Sequence, residues 1–66
     1  MELKYSLEQI VHIELDGRFY KGSIVGIHIW RDKTICYEIY LPLLDIKITL
    51  FQDEIFENEY KWLKSL

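Results

Sequence analysis

The chain has 66 residues, with eight Lys or Arg against eleven Asp or Glu, a hydrophobic half and a single cysteine. That size makes one small domain, near the lower limit for chains that fold alone, and the lone thiol excludes an intramolecular disulfide framework. The net charge of −3 repels phosphate backbones overall, which argues against a dedicated nucleic-acid binder.

No apolar run approaches the ~20 residues that a membrane-spanning helix needs. The opening Met1-Glu2-Leu3-Lys4 is no charged-then-apolar leader, so with one unpaired thiol the expected location is the cytoplasm and no membrane partner is expected.

Taken in order, Lys4 to Gln9 is a lead-in where Ser6 and Gln9 have the spacing of a short capping box, which fits one helical turn or an irregular arm. From Ile10 the period becomes two. Val11, Ile13 and Leu15 share one face, and His12, Glu14 and Asp16 the other, as a half-buried strand requires.

Asp16-Gly17 is the strongest hairpin signal, because a type I′ turn needs positive φ at both central residues. A two-residue loop sets Leu15 opposite Arg18, Ile13 opposite Tyr20 and Val11 opposite Gly22. Tyr20 and Ile24 then share a face, yet Ile27 and Ile29 have the opposite parity. One residue must be absorbed between them, so the spacing predicts a bulge or bend at Gly22 or Gly26, in a long strand that serves two parts of a curled sheet.

Arg31-Asp32-Lys33 reads as a turn, Thr34 to Leu41 as a third strand ended by Pro42, and Ile46 to Phe51 as a fourth with Ile46, Ile48 and Leu50 inward. Gln52 to Phe56 suits a tight turn or short strand. Asn58 can cap a last helix, about 58–65, that Phe56, Tyr60 and Leu63 would dock. The expected architecture is all-β: an SH3-like small barrel or strongly curled five-stranded antiparallel sheet, core 10–56, with a short C-terminal helix.

The series Asp16-Gly17, Phe19-Tyr20-Lys21-Gly22-Ser23-Ile24-Val25-Gly26-Ile27, Tyr37-Glu38-Ile39-Tyr40, Ile48-Thr49-Leu50-Phe51 and Glu54-Ile55-Phe56 resembles the small barrels of the SH3-like and Tudor-like class. It also resembles short uncharacterised proteins of bacteria and their phages built on that pattern. The Tudor-like resemblance implies an aromatic cage for a methylated lysine or arginine, with Phe19, Tyr20, Trp30, Tyr37, Tyr40 and Phe51 as candidates. Leu41-Pro42-Leu43-Leu44-Asp45 departs from that group, which usually has an acidic-aromatic-glycine turn after the third strand.

Phe19, Tyr40 and Phe51 fall at the parity that a two-faced sheet leaves to solvent, so closure of the sheet, the terminal helix or a partner must cover them. Together with Trp30 and the acidic Asp53 and Glu54 they are the candidate partner-binding residues. The function expected is a non-catalytic interaction module for a protein partner, in the manner of a phage-encoded inhibitor or adaptor, with a second copy of the chain as a further candidate partner.

The alternative is a small nucleic-acid- or nucleotide-binding barrel, in which Arg18, Lys21, Arg31 and Lys33 contact phosphate and aromatics stack on bases. His12, His28 and Cys36 lack the short ligand spacing of a zinc site, so no metal or other cofactor is expected. Cys36, mid-strand beside Glu38, reads as packing, and with no acid–base or nucleophile pair the chain is not expected to be an enzyme.

Overall fold

A computed structural model of the chain describes residues 3–57 and 63–64. Five strands, β1 (Ile10–Leu15), β2 (Arg18–Ile29), β3 (Ile35–Leu41), β4 (Ile46–Phe51) and β5 (Ile55–Phe56), form one antiparallel sheet in the order β4-β3-β2-β1-β5. A 3-10 turn, Gln52–Glu54, separates β4 from β5. The edges β4 and β5 do not pair with each other, so of the two expected forms the sheet is the open one. Among the described residues no helix is long and apolar enough to cross a membrane. The terminal helix expected over about 58–65 lies outside the described residues except for Leu63 and Lys64.

The first hairpin has the register that its turn dictates: Asp16 and Gly17 have φ of 52° and 76°, and Leu15 pairs with Arg18, Ile13 with Tyr20 and Val11 with Gly22. Positive φ at both central residues gives the loop the twist that matches its flanking strands.

β2 then changes partners. Its first half, Arg18 to Ser23, pairs with β1, and its second half, Ser23 to Ile29, pairs with β3. The register on β3 slips between Ile24 and Gly26, so Val25 is the extra residue of the bulge. That insertion restores Ile27 to the core side after Ile24.

Gly22 does something else. A Cβ on it would lie 2.7 Å from Ile39 Cγ2, 2.7 Å from the Tyr40 carbonyl oxygen and 2.8 Å from Leu41 Cδ2. In the curled sheet the first half of β2 here lies too close to β3 for any side chain.

The core that this curl encloses holds Tyr5, Val11, Ile13, Ile24, Tyr37, Ile39, Leu41 and Ile55. Tyr5 comes from the lead-in, which has no helix. Ser6 N–H donates to Gln9 Oε1 at 2.9 Å, and the segment is tied to β2 by Glu8 N–H to the Ile24 carbonyl at 2.7 Å and Ile24 N–H to the Gln9 carbonyl at 3.0 Å. The Tyr5 hydroxyl donates to the Ile55 carbonyl at 2.9 Å, and its ring meets Tyr37 edge-on at 5.3 Å. The Tyr37 hydroxyl accepts from Tyr5 N–H at 3.2 Å and donates to Gln52 Oε1 at 2.7 Å. Two buried phenols thereby hold lead-in, 3-10 turn and β5 to one point, and no buried hydroxyl of the pair is left without a partner.

Two expectations about burial need correction. Ile46, expected inward, is exposed because β4 is an edge strand with nothing beyond it among the described residues. Tyr20, set by parity on the face of the buried Ile24, is only half-buried and packs against the margin of the core.

Candidate interaction surface

Strand parity sends Cys36, Glu38 and Tyr40 of β3 and Lys47, Thr49 and Phe51 of β4 to the outer face of the sheet. Phe51 stands directly opposite Cys36. Trp30 follows β2, where the chain turns back through Arg31-Asp32-Lys33, and its indole Nε1–H donates to Cys36 Sγ at 3.3 Å. This weak bond fixes the ring across the end of the sheet.

The turn itself is tightly made. Trp30 N–H donates to the Thr34 carbonyl and Lys33 N–H to the Trp30 carbonyl, both at 2.9 Å, and Lys33 takes a φ of 71°. Asp32 Oδ1 accepts from Thr34 N–H at 3.0 Å, an Asx-type bond that holds the Asp32 carboxyl below its usual range.

The result is an open groove lined by Trp30, Arg31, Asp32, Thr34, Cys36, Thr49, Leu50 and Phe51. Cys36 is buried, whereas Trp30 is 59% and Phe51 53% exposed. A second hollow on the other side of Phe51 is lined by Lys4, Lys33, Thr34, Ile35, Gln52 and Asp53. One aromatic wall therefore serves both, with cations and carboxylates around it: Arg31, Lys33 and Lys4 against Asp32 and Asp53.

Of the candidate partner-binding residues, the fold brings Trp30, Phe51 and Asp53 to this end of the sheet. Glu54 is close in sequence but structurally engaged, since its Oε1 accepts from Phe51 N–H at 2.9 Å and closes the 3-10 turn. Tyr40 is on the same face nearer the other end of β3, and its hydroxyl donates to Asp45 Oδ1 at 2.7 Å, which raises the tyrosine's pKa. Phe19 is on β2's first half, half-buried and stacked on His12 at 4.9 Å with an interplanar angle of 11°. Neither Tyr40 nor Phe19 lines the groove.

The basic candidates divide. Arg31 and Lys33 flank the groove, whereas Arg18 and Lys21 belong to the opening hairpin. Arg18 opens β2 and the Arg31 turn follows its last residue, Ile29, so about 36 Å of strand contour at ~3.3 Å per residue separates them. Of the six aromatics named for a cage, only Trp30 and Phe51 line the groove, and Tyr37 is in the core.

Sequence reasoning took Cys36 as packing, in line with its burial, and missed that it floors the groove. Its neighbours Ile35 and Tyr37 carry the inward parity, and Cys36 is buried on the outer face, between Phe51 opposite it and the Trp30 indole bonded to its sulfur. The tools for finding it, a tryptophan just beyond a strand and a cysteine six residues on, are too common to signal anything alone. The chain matches no protein family, no curated protein and no solved structure.

Proposed function

We propose that this chain is a non-catalytic protein-interaction module, and that the groove between Trp30 and Phe51 is its contact surface. The observation that carries the reading is two large aromatics, each more than half exposed, held on either side of a buried apolar floor. Such rings lose little conformational entropy on binding and bury much area, which is why exposed Trp and Tyr so often anchor partners.

The architectural half of the reading is that this is an SH3-like small barrel in its open form, which is supported by the strand order β4-β3-β2-β1-β5 and by the 3-10 turn before the last strand. The partner is a protein with an apolar side chain for the groove and a polar rim for Arg31, Asp32 and Asp53. An inhibitor or adaptor would use such a surface.

A methyl-cation cage is less well supported, because of the six candidate aromatics only Trp30 and Phe51 line the groove, the fewest ring faces a cage can be built from. A nucleic-acid surface is also less well supported, since the four cations are split between the two turns that bound β2.

The test immobilises the chain and compares partners captured by wild type with those captured by Trp30→Ala, Phe51→Ala and the double variant, each checked for its fold by circular dichroism. Anchor residues of this kind cost ~2 kcal/mol or more when truncated, so a captured protein should be lost at least tenfold. Equal capture by all four forms would refute the reading. Salt-dependent oligonucleotide binding weakened by Arg31→Glu would replace it with the nucleic-acid alternative.

A further inference from the structure

We infer that the free edge of β4 is a self-association surface, and that two copies of the chain pair there antiparallel in one specific register, with Ile48 facing Ile48 of the second copy. This does not rest on the groove reading above.

Among the described residues β4 is an outer strand of the sheet, paired on one side only, with β3. In an antiparallel ladder the residues alternate, one directing its N–H and C=O to the neighbour and the next directing them away. Phe51 N–H donates to Glu54 Oε1 at 2.9 Å, so it does not reach across to Cys36. By alternation Thr49 and Lys47 also direct their N–H and C=O outward, while Ile46, Ile48 and Leu50 bond to β3.

The edge thus offers four main-chain groups, the N–H and C=O of Lys47 and of Thr49, and its far end is closed by the Glu54 carboxylate. An arriving strand must match that set. β4 of a second copy does so about a two-fold axis through Ile48: Lys47 exchanges both of its bonds with the second copy's Thr49, and Thr49 with the second copy's Lys47. All four groups on each copy are satisfied, and the Phe51 bond to Glu54 is left intact.

The neighbouring register, centred on Thr49, would set Lys47 against the second copy's Phe51, whose N–H is already taken. The register centred on Lys47 would set the two Lys47 ammoniums directly opposite each other and Thr49 against Asp45, outside the strand, so hydrogen bonding and charge together select the first register.

Side chains agree with it. Ile46 is 41% exposed, and Ile48 and Leu50 are half-buried against the margin of the core. In this register Ile46 meets the second copy's Leu50 and Ile48 meets Ile48, so the apolar inner face continues across the junction. Lys47 is on the outer face opposite Thr49, a neutral neighbour, and keeps its ammonium in water.

β4 has no proline and no bulge, and Lys47 is its only charge, so the usual devices that blunt an edge are reduced to one lysine. The other edge, β5, has only two residues and offers a second strand little to pair with. A six-residue strip, about 20 Å long, is at the low end of specific interfaces, so the dimer is a weak one, with a dissociation constant roughly in the 10–100 μM range.

Sedimentation velocity across a concentration series, together with amide hydrogen exchange by NMR, tests this. Wild type should move from monomer to dimer. The Lys47 and Thr49 amides should exchange rapidly when dilute and become protected by about fivefold or more at about 1 mM, while Ile48 and Leu50 stay protected throughout.

Thr49→Pro removes one outward donor without touching the bond pattern to β3, and should weaken dimerisation at least tenfold with an unchanged circular dichroism spectrum. A chain that stays monomeric to about 1 mM, or a dimer with no gain in protection at Lys47 and Thr49, overturns the inference. Species that keep growing with concentration also overturn it, because they mean a head-to-tail contact that does not close. The exchange measurement on wild type decides the matter even if Thr49→Pro fails to fold.

Discussion

Replacing Gly22 by alanine tests the account of the curl most directly. The added methyl would meet Ile39 Cγ2 at 2.7 Å, the Tyr40 carbonyl oxygen at 2.7 Å and Leu41 Cδ2 at 2.8 Å. Carbon atoms in contact prefer about 3.5–4.0 Å, so roughly 1 Å of room is missing on each side. Ile39 and Leu41 are completely buried and cannot swing away, and the carbonyl belongs to a strand paired on both sides, so β2 must lift from β3 or the core must deform.

Overpacking of this kind costs about 1–3 kcal/mol, and the backbone entropy that alanine saves returns only about 0.5–1 kcal/mol. With one of the three contacts a main-chain atom, the expectation is a net loss of about 2 kcal/mol. A chain of this length has a total stability on the order of 3–10 kcal/mol, and ~2 kcal/mol corresponds to a fall in Tm on the order of 10 °C.

Urea titration followed by circular dichroism measures it, with Gly26→Ala as the comparison. There the added methyl meets Glu38 Cβ at 3.2 Å and Glu38 Oε1 at 3.3 Å, and the flexible carboxylate can give way, so the change should stay within about 1 kcal/mol. If Gly22→Ala is as stable as wild type with an unchanged urea slope, the close approach of β2 to β3 is wrong.

Gly17→Ala should cost about 1 kcal/mol in the same titration, through its φ of 76° alone, because nothing lies within 4 Å of the added methyl. Tyr5→Phe removes the hydroxyl that donates to the Ile55 carbonyl and should lose about 1 kcal/mol. Burial, with Glu57 and Tyr37 nearby, raises the Tyr5 pKa above the usual tyrosine value. The folded state thus holds this proton more tightly than the unfolded one, and its contribution is complete below about pH 10 and declines as pH rises toward the folded pKa. Stability measured in that alkaline window should fall less steeply for Tyr5→Phe than for wild type. Cys36 is 5% exposed beneath the Trp30 ring, so a thiol reagent should label it at least tenfold more slowly in native protein than in urea. Rapid native labelling would mean that the groove floor opens locally.

Local chemistry in the sequence determined the first hairpin and its register, because Asp16-Gly17 requires a backbone conformation that few dipeptides adopt and side-chain alternation then fixes every pair. The parity conflict between Ile24 and Ile27 required a bulge, and Pro42 with the apolar alternation set the limits of β3 and β4. Tertiary structure decided what depends on which surfaces meet. It chose Val25 beside Gly26 as the bulge and gave Gly22 the close approach to β3, two roles that the same parity count allows to either glycine. It put Tyr5 in the core from a segment with no periodicity, by offering its hydroxyl the Ile55 carbonyl. It brought Trp30 to Phe51 over Cys36, residues whose common position follows from the strand order and from no spacing between them. Dihedral preference and alternation act between neighbours in the chain, whereas a groove and a free edge exist only once the sheet has settled which strands have neighbours and which have none.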